Sequence, residues 1–298
     1  MSTMNQLPYP ATGVVDNASY TQTPEYFRPR FLEPAIKNKN LNRESLRNFL
    51  TANTTPLTTS AYAYLEFDRI IGEVDWITEM DSFPTIDENY VPMVETVKSY
   101  GGKIRWSLRE METNQYNMIN SKIDSAMNHM MLWENARTLV KMAAKLDHTH
   151  LANDETVSDW SDPSVGTPPQ DIRKAMNRIG LNTWKTYWGD TLIMNTNTIS
   201  YLYNYDFVQN QMYSNYMFNQ FGIVPNIAGL PITAIEAVPD NTFYVFESGV
   251  VGEWVIMEPI RTLQWQPEAR RFEQLIWTTA EPVINHPRVV YRGTIPAE

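Results

Sequence analysis

Residues 113–146 read TNQYNMINSKIDSAMNHMMLWENARTLVKMAAKL, inside a window from Lys103 to Asp162 that holds neither Gly nor Pro. Ile119, Ile123, Ala126, Met130, Trp133, Ala136, Val140 and Ala143 recur at spacings of three and four, the period of one helix face. The spacing predicts a single amphipathic helix from about 113 to 146 with its apolar stripe packed into a core. At 1.5 Å per residue it is roughly 50 Å long, several times the mean helix, so it spans a whole domain. His129 falls mid-helix and reads as a packed or surface residue.

Upstream of the helix, residues 59–112 read as extended. Ala61 to Ile71 is rich in aromatic and branched residues, and Trp76 to Met80 continues it to a turn near Ser82-Phe83-Pro84. Val91 to Lys98 returns, Gly101-Gly102 interrupts, and Lys103 to Leu108 alternates polar and apolar residues. The pattern is a long hairpin of low hydrophobicity. From Glu66 to Glu95 it carries nine acids and one base, Arg69. A two-stranded ribbon is marginal in water by itself, so it needs a surface to lie on.

Residues 1–58 do not read as a domain: Pro8, Pro10, Pro24, Pro29, Pro34 and Pro56 punctuate them, and Tyr26, Phe27, Phe31, Leu32 and Ile36 are scattered. One short helix is expected, Asn42 to Thr51, with Leu46, Phe49 and Leu50 on one face. Such an arm is disordered or lies along another surface. It holds 6 basic and 4 acidic residues against 18 and 30 in the other 240. Arg28, Arg30, Lys37, Lys39, Arg43 and Arg47 concentrate its positive charge.

Downstream, residues 147–169 form an acidic loop, and Asp171 to Ile179 a short helix stopped by Gly180. Thr191 to Met194 is a buried strand and Thr196 to Tyr205 a helix; residues 205–221 have no clear assignment. Ile223 to Ile235 contains strand and turn signals. Phe243 to Phe246, Val250 to Met257, Arg261 to Gln266 and Phe272 to Thr279 read as strands, and Pro282 to Tyr291 closes the chain. No internal repeat is visible.

The composition narrows the chemistry. The 298 residues carry a net charge of −10, which argues against a nucleic-acid binder with a basic body. With no Cys there is no disulfide, thiolate site or Cys nucleophile. Met1 to Pro10 lacks a secretory pattern, and no run approaches the roughly 18 apolar residues of a membrane span. Synthesis in a cytoplasm follows as the expectation. The phosphate-binding, zincin and nucleophile-elbow motifs are missing. His148 and His150, beside Asp147, Asp154 and Glu155, could in principle ligate a metal, but a solvated loop at a helix end is the favoured reading. His286, beside Pro287, reads as a turn residue. No cofactor and no enzyme activity is expected. The 25 Asn, 16 Tyr, 15 Met and 9 Trp suit buried surface of mixed polarity, as at subunit interfaces.

The order of these parts resembles the major capsid proteins of tailed double-stranded DNA viruses, the Hong Kong 97 fold family. The run Thr191-Leu-Ile-Met-Asn-Thr-Asn-Thr-Ile-Ser-Tyr-Leu202 is similar to the family's strand and following helix. Gly229-Leu-Pro-Ile-Thr-Ala-Ile-Glu-Ala-Val-Pro-Asp240 resembles its Gly-Leu-Pro-Ile strand and turn, with Phe243-Tyr-Val-Phe246 after it. Ala280-Glu-Pro-Val-Ile-Asn-His-Pro-Arg-Val-Val290 resembles its last strand. The resemblance implies a mixed α+β fold. Residues 1–58 would be an N-terminal arm, and 59–167 the first part of a peripheral domain. That part would hold an extended loop at about 72–105 and a spine helix at about 113–146. Residues 168–256 would be an axial domain and 257–298 the return to the peripheral domain.

It also implies self-assembly into hexamers and pentamers of an icosahedral shell around a double-stranded DNA genome, in a virion. Portal, scaffold, maturation protease and decoration proteins would be partners, with weak DNA contact and no membrane. Any scaffold would be a separate chain or already removed. A cellular encapsulin-type compartment shares the fold and is the alternative. The family's crosslinking Lys has no clear counterpart, since Lys98 and Lys103 sit near the loop base. Ring contacts are heterologous. The basic stretch is therefore expected to meet the acidic ribbon of a neighbour at Glu73, Asp75, Glu79 and Asp81, with Trp76 and Phe83 as apolar anchors.

Overall fold

The computed structural model describes residues 45–53, 59–71, 87–107, 116–148, 153–208, 226–268 and 271–296. Two sheets and one long helix organise them. Strand β1 is Thr51–Asn53, β2 Ala61–Ile71, β3 Asp87–Thr96 and β4 Ser99–Ser107; helix α1 follows at Tyr116–His148. Next come β5 (Asp154–Thr156), α2 (Pro168–Asn182), β6 (Thr191–Met194), α3 (Thr196–Leu202), β7 (Asn226–Ile227), β8 (Leu230–Ala234) and β9 (Thr242–Phe246). The chain closes with β10 (Gly252–Glu268), β11 (Arg271–Ile284) and β12 (Val290–Thr294).

A six-stranded sheet runs β5-β12-β9-β6-β8-β7. Its middle strands β6 and β9 are buried at every position, which explains their unbroken apolar runs. Asn195 caps α3 by accepting from the Asn197 N–H at 2.9 Å. The Phe243 ring stacks on Trp160 at 4.8 Å and lies against Gly293 of β12. A Cβ on Gly293 would sit 2.2 Å from that ring, so no larger residue fits there unless the ring moves. Helix α2 adds Ile172, Ala175 and Ile179 to the same core.

The second sheet, β1-β10-β11-β4, leaves β4 as an edge. Its apolar side, Ile104, Trp106, Phe272 and Ile276, packs on Ile123, Met127 and Met130 of α1. Strands β2 and β3 form a separate two-stranded ribbon.

The strands Ala61–Ile71 and Thr191–Met194 lie where the sequence places them, and one helix, Tyr116–His148, lies within the Gly- and Pro-free window. Other expectations change. The stripe on α1 holds as far as Met130, then its phase slips: Glu134, Asn135, Thr138, Leu139, Met142 and Leu146 are buried, while Trp133, Ala136 and Val140 are exposed. Hydrogen bonding overrides polarity here, because the Asn135 amide oxygen receives the Leu46 N–H at 2.8 Å. Gly180 does not stop α2, which continues to Asn182. The turn comes from Trp184 and Lys185, both at positive φ, with the Lys185 N–H returning to the Gly180 carbonyl at 2.6 Å. The strands expected at 250–257 and 261–266 form one strand that starts at Gly252 and is interrupted only by register shifts.

Three segments assigned elsewhere from sequence join the sheets. Strand β4, expected at the base of the ribbon, pairs with β11. The end of the leading arm enters the core: Leu46 and Leu50 are buried, β1 pairs parallel with β10, and Phe49 meets Phe246 edge-on at 5.7 Å. Of the helix expected at 42–51, the described part, from Ser45 on, forms only a 3-10 turn at Leu46–Phe49. Strand β12, expected in the peripheral return, pairs with β9 of the six-stranded sheet.

Candidate assembly surface

The ribbon is polarised in an unusual sense. Alternation along β2 and β3 turns Tyr62, Tyr64, Glu66 and Glu95 toward the body, and Ala63, Leu65, Pro92 and Val94 away from it. Register sets Ala63 opposite Val94 and Leu65 opposite Pro92. Leu65 is 58% and Val94 69% exposed. The apolar strip thus faces outward, and Glu66 and Glu95 face in.

Helix α1 receives them. Arg137, Lys141 and Lys145 recur every four residues and so share one face. Arg137 donates to Glu281 at 2.8 Å from Nε, and that carboxylate is fully buried. Lys141 lies 3.4 Å from Glu281 and also donates to Glu95 of β3. Lys145 donates to Glu66 of β2 and stands over the Tyr64 ring at 5.7 Å. Burial opposes the Lys145 charge, but its hydrogen bonds to Glu66 and Tyr64 outweigh it and raise its pKa above the usual lysine value.

Further contacts hold the ribbon along its length. The Tyr62 hydroxyl donates to Glu253 at 2.7 Å, and both tyrosine rings pack against Val97, Val255 and Val283. The Phe67 N–H donates to the Asn285 carbonyl at 2.9 Å, and the Phe67 ring stacks on His286 at 5.2 Å. Arg288 approaches Asp68 at 3.8 Å. Burial pushes the His286 pKa down, against the pull of Glu88.

A second exposed face lies along α1. Trp133 stacks on Tyr100 at 4.4 Å and borders a groove of about 340 Å³ between α1 and the edge strand β4. Gly101 and Gly102 shape that groove: a Cβ on Gly101 would fall 2.1 Å from the Ile276 carbonyl, whereas Gly102 faces open space. Beneath it the Tyr100 hydroxyl donates to the buried Glu134 at 2.6 Å, and burial raises the Glu134 pKa. At the end of α2, Leu181, Trp184 and Trp188 are also exposed.

Of the contact residues expected from sequence, Arg28, Arg30, Lys37, Lys39, Arg43, Glu73, Asp75, Trp76, Glu79, Asp81 and Phe83 lie outside the described residues. Arg47 is described, and its guanidinium sits 5.5 Å above the Trp254 ring of its own chain. The acids Glu66, Asp68 and Glu95 likewise meet cations of their own chain. Sequence reading missed this clamp, although the four-residue spacing of Arg137, Lys141 and Lys145 was a signal for it. His150 lies outside the described residues, as does the side-chain environment of His148. Among the described residues no cluster is placed to hold a metal ion, and no helix is long and apolar enough to cross a membrane.

No protein-family model and no curated protein sequence matches the chain. Solved structures do. A virus-like particle from Pyrococcus furiosus aligns with a TM-score of 0.62 at 14% identity, over 90% of this chain and 99% of that one. The mature capsid of bacteriophage PhiM1 aligns at 0.59 and 10% identity, over 87% and 89%. The capsid of a native GTA particle aligns at 0.58 and 12% identity, over 86% and 91%. The chain has the mixed α+β, Hong Kong 97-like capsid fold that the order of its parts implied.

Proposed function

We propose that this chain is a structural, non-catalytic subunit of a self-assembling capsid shell, working as a major capsid protein in a virion. The observation that carries the reading is the fold, shared over nearly the whole chain with proteins whose structures are those of shells. The outward apolar strip of the ribbon and the exposed aromatic faces of α1 and α2 support it. A contact between unlike faces of successive copies is what a ring requires.

In this reading copies close into hexamers and pentamers of an icosahedral shell around double-stranded DNA, with portal, scaffold, protease or decoration proteins as helpers. Residues 59–167 and 257–298 act as the peripheral domain and 168–256 as the axial domain, with β5 and β12 completing the axial sheet from outside those bounds. The leading arm meets the acidic ribbon of a neighbour. Charge reversal at Arg43 tests that pairing better than at Arg47, which serves its own chain over Trp254.

Electron microscopy and sedimentation of the purified full chain test the assignment. Closed shells or capsomer rings are expected; a monomer at every concentration, with and without a co-expressed scaffold, overturns it. The likeness to a virus-like particle keeps a cellular compartment as the second reading, and packaged DNA against enclosed protein decides between them.

A further inference from the structure

We infer that Lys141 and Lys145 form a latch that sets the ribbon's angle against α1 and must open for the ribbon to swing. Both lysines project from one face of α1, one turn apart. Each holds a glutamate from a different strand, Glu95 of β3 and Glu66 of β2. Gripping both strands fixes the ribbon as a plane, which one contact does not do. The lysine and glutamate side chains are 14–27% exposed, dry enough for the bonds to be strong and wet enough for water to replace them.

The rest of the interface favours a latch over a permanent weld. A ribbon fixed for good would bury its apolar face; this one turns Leu65 and Val94 to solvent and docks mainly by carboxylates and phenols. Lys141 also stays tied to Glu281, which Arg137 neutralises, so on release it keeps a partner. Opening therefore leaves Lys141 with Glu281, and Glu95 near the surface, while Lys145 and Glu66 exchange their bond for water. The closed state is a property of the single chain and does not depend on the shell reading.

Hydrogen exchange on the full chain, at a dilution where it is monomeric, tests the latch. K145M and K141M are expected to speed exchange of amides in 61–67 and 91–96 roughly tenfold, the effect of losing one charge-assisted hydrogen bond. Protection of 243–246 reports whether the core is intact. The swapped pair, Glu66→Lys with Lys145→Glu, is expected to return ribbon exchange to within about threefold of wild type. Ribbon exchange unchanged in K141M, K145M and their combination, with the core intact, overturns the proposal. If the single variants lose core protection, the swapped pair decides: restored slow exchange supports the latch, and failure to restore it overturns it.

Discussion

The six-stranded sheet and the ribbon are built from similar residue types and solve opposite problems. In β6 and β9 every side chain is buried, and Phe243, Trp160 and Tyr291 pack ring against ring. In β2 and β3 Tyr62, Tyr64, Glu66 and Glu95 turn inward, and Ala63, Leu65, Pro92 and Val94 turn out. The sheet is stabilised by burial, which its own chain supplies in full. The ribbon is oriented by charge and leaves its apolar side uncovered. The sheet is therefore a scaffold for one molecule, and the ribbon a device prepared for more than one.

The largest expected effect tests the sheet. Phe243→Ala removes a fully buried ring stacked on Trp160 and should cost about 3–5 kcal/mol in denaturant unfolding. A loss below 1 kcal/mol would mean that the core relaxes into the cavity. Next comes the clamp by which α1 joins the four-stranded sheet to the ribbon. Glu281→Ala leaves Arg137 and Lys141 without their shared buried carboxylate and should cost about 2 kcal/mol, discounted because both cations reach solvent.

The pH dependence should be gentler and confined to the ribbon. Burial holds the His286 pKa below 6.5, so the unfolded chain takes up this proton at a higher pH than the folded one. Stability from the neutral ring is complete above pH 6.5 and is lost as pH falls through the folded value. Exchange of the Phe67 amide should quicken over that range, and His286→Gln should remove the acid-dependent component. The smallest effect on stability belongs to the outward strip: Leu65→Ser and Val94→Ser should each change unfolding by less than about 0.5 kcal/mol. Their effect should appear in assembly, as a reduced shell yield measured by sedimentation.

The sequence was most readable where periodicity and burial coincide. Strand Ala61–Ile71, strand Thr191–Met194 and the length of α1 follow from apolar pattern and from missing Gly and Pro. The pattern failed where polar groups carry the packing. On α1 the buried line passes through Glu134, Asn135 and Thr138, satisfied by Tyr100, Leu46 and the helix backbone. Those partners lie tens of residues away and leave no local trace. The charge imbalance of the ribbon was legible, but its cations were sought in the arm, and those of Glu66 and Glu95 lie instead on α1. Where β4 belongs was hidden for a similar reason: an alternating strand suits a hairpin or a sheet edge equally, and only its pairing with β11 decides.

The turn at Leu46–Phe49 sets a limit on trimming from the leading end. Leu46 and Leu50 act as a plug set into the interior, and the Gly249 N–H is tied to the Phe49 carbonyl at 2.8 Å. Ser45 is buried as well, and its carbonyl accepts the Asn48 N–H at 3.1 Å, so the limit includes it. One cut beyond Leu50 would pull the stopper and open the main core to water.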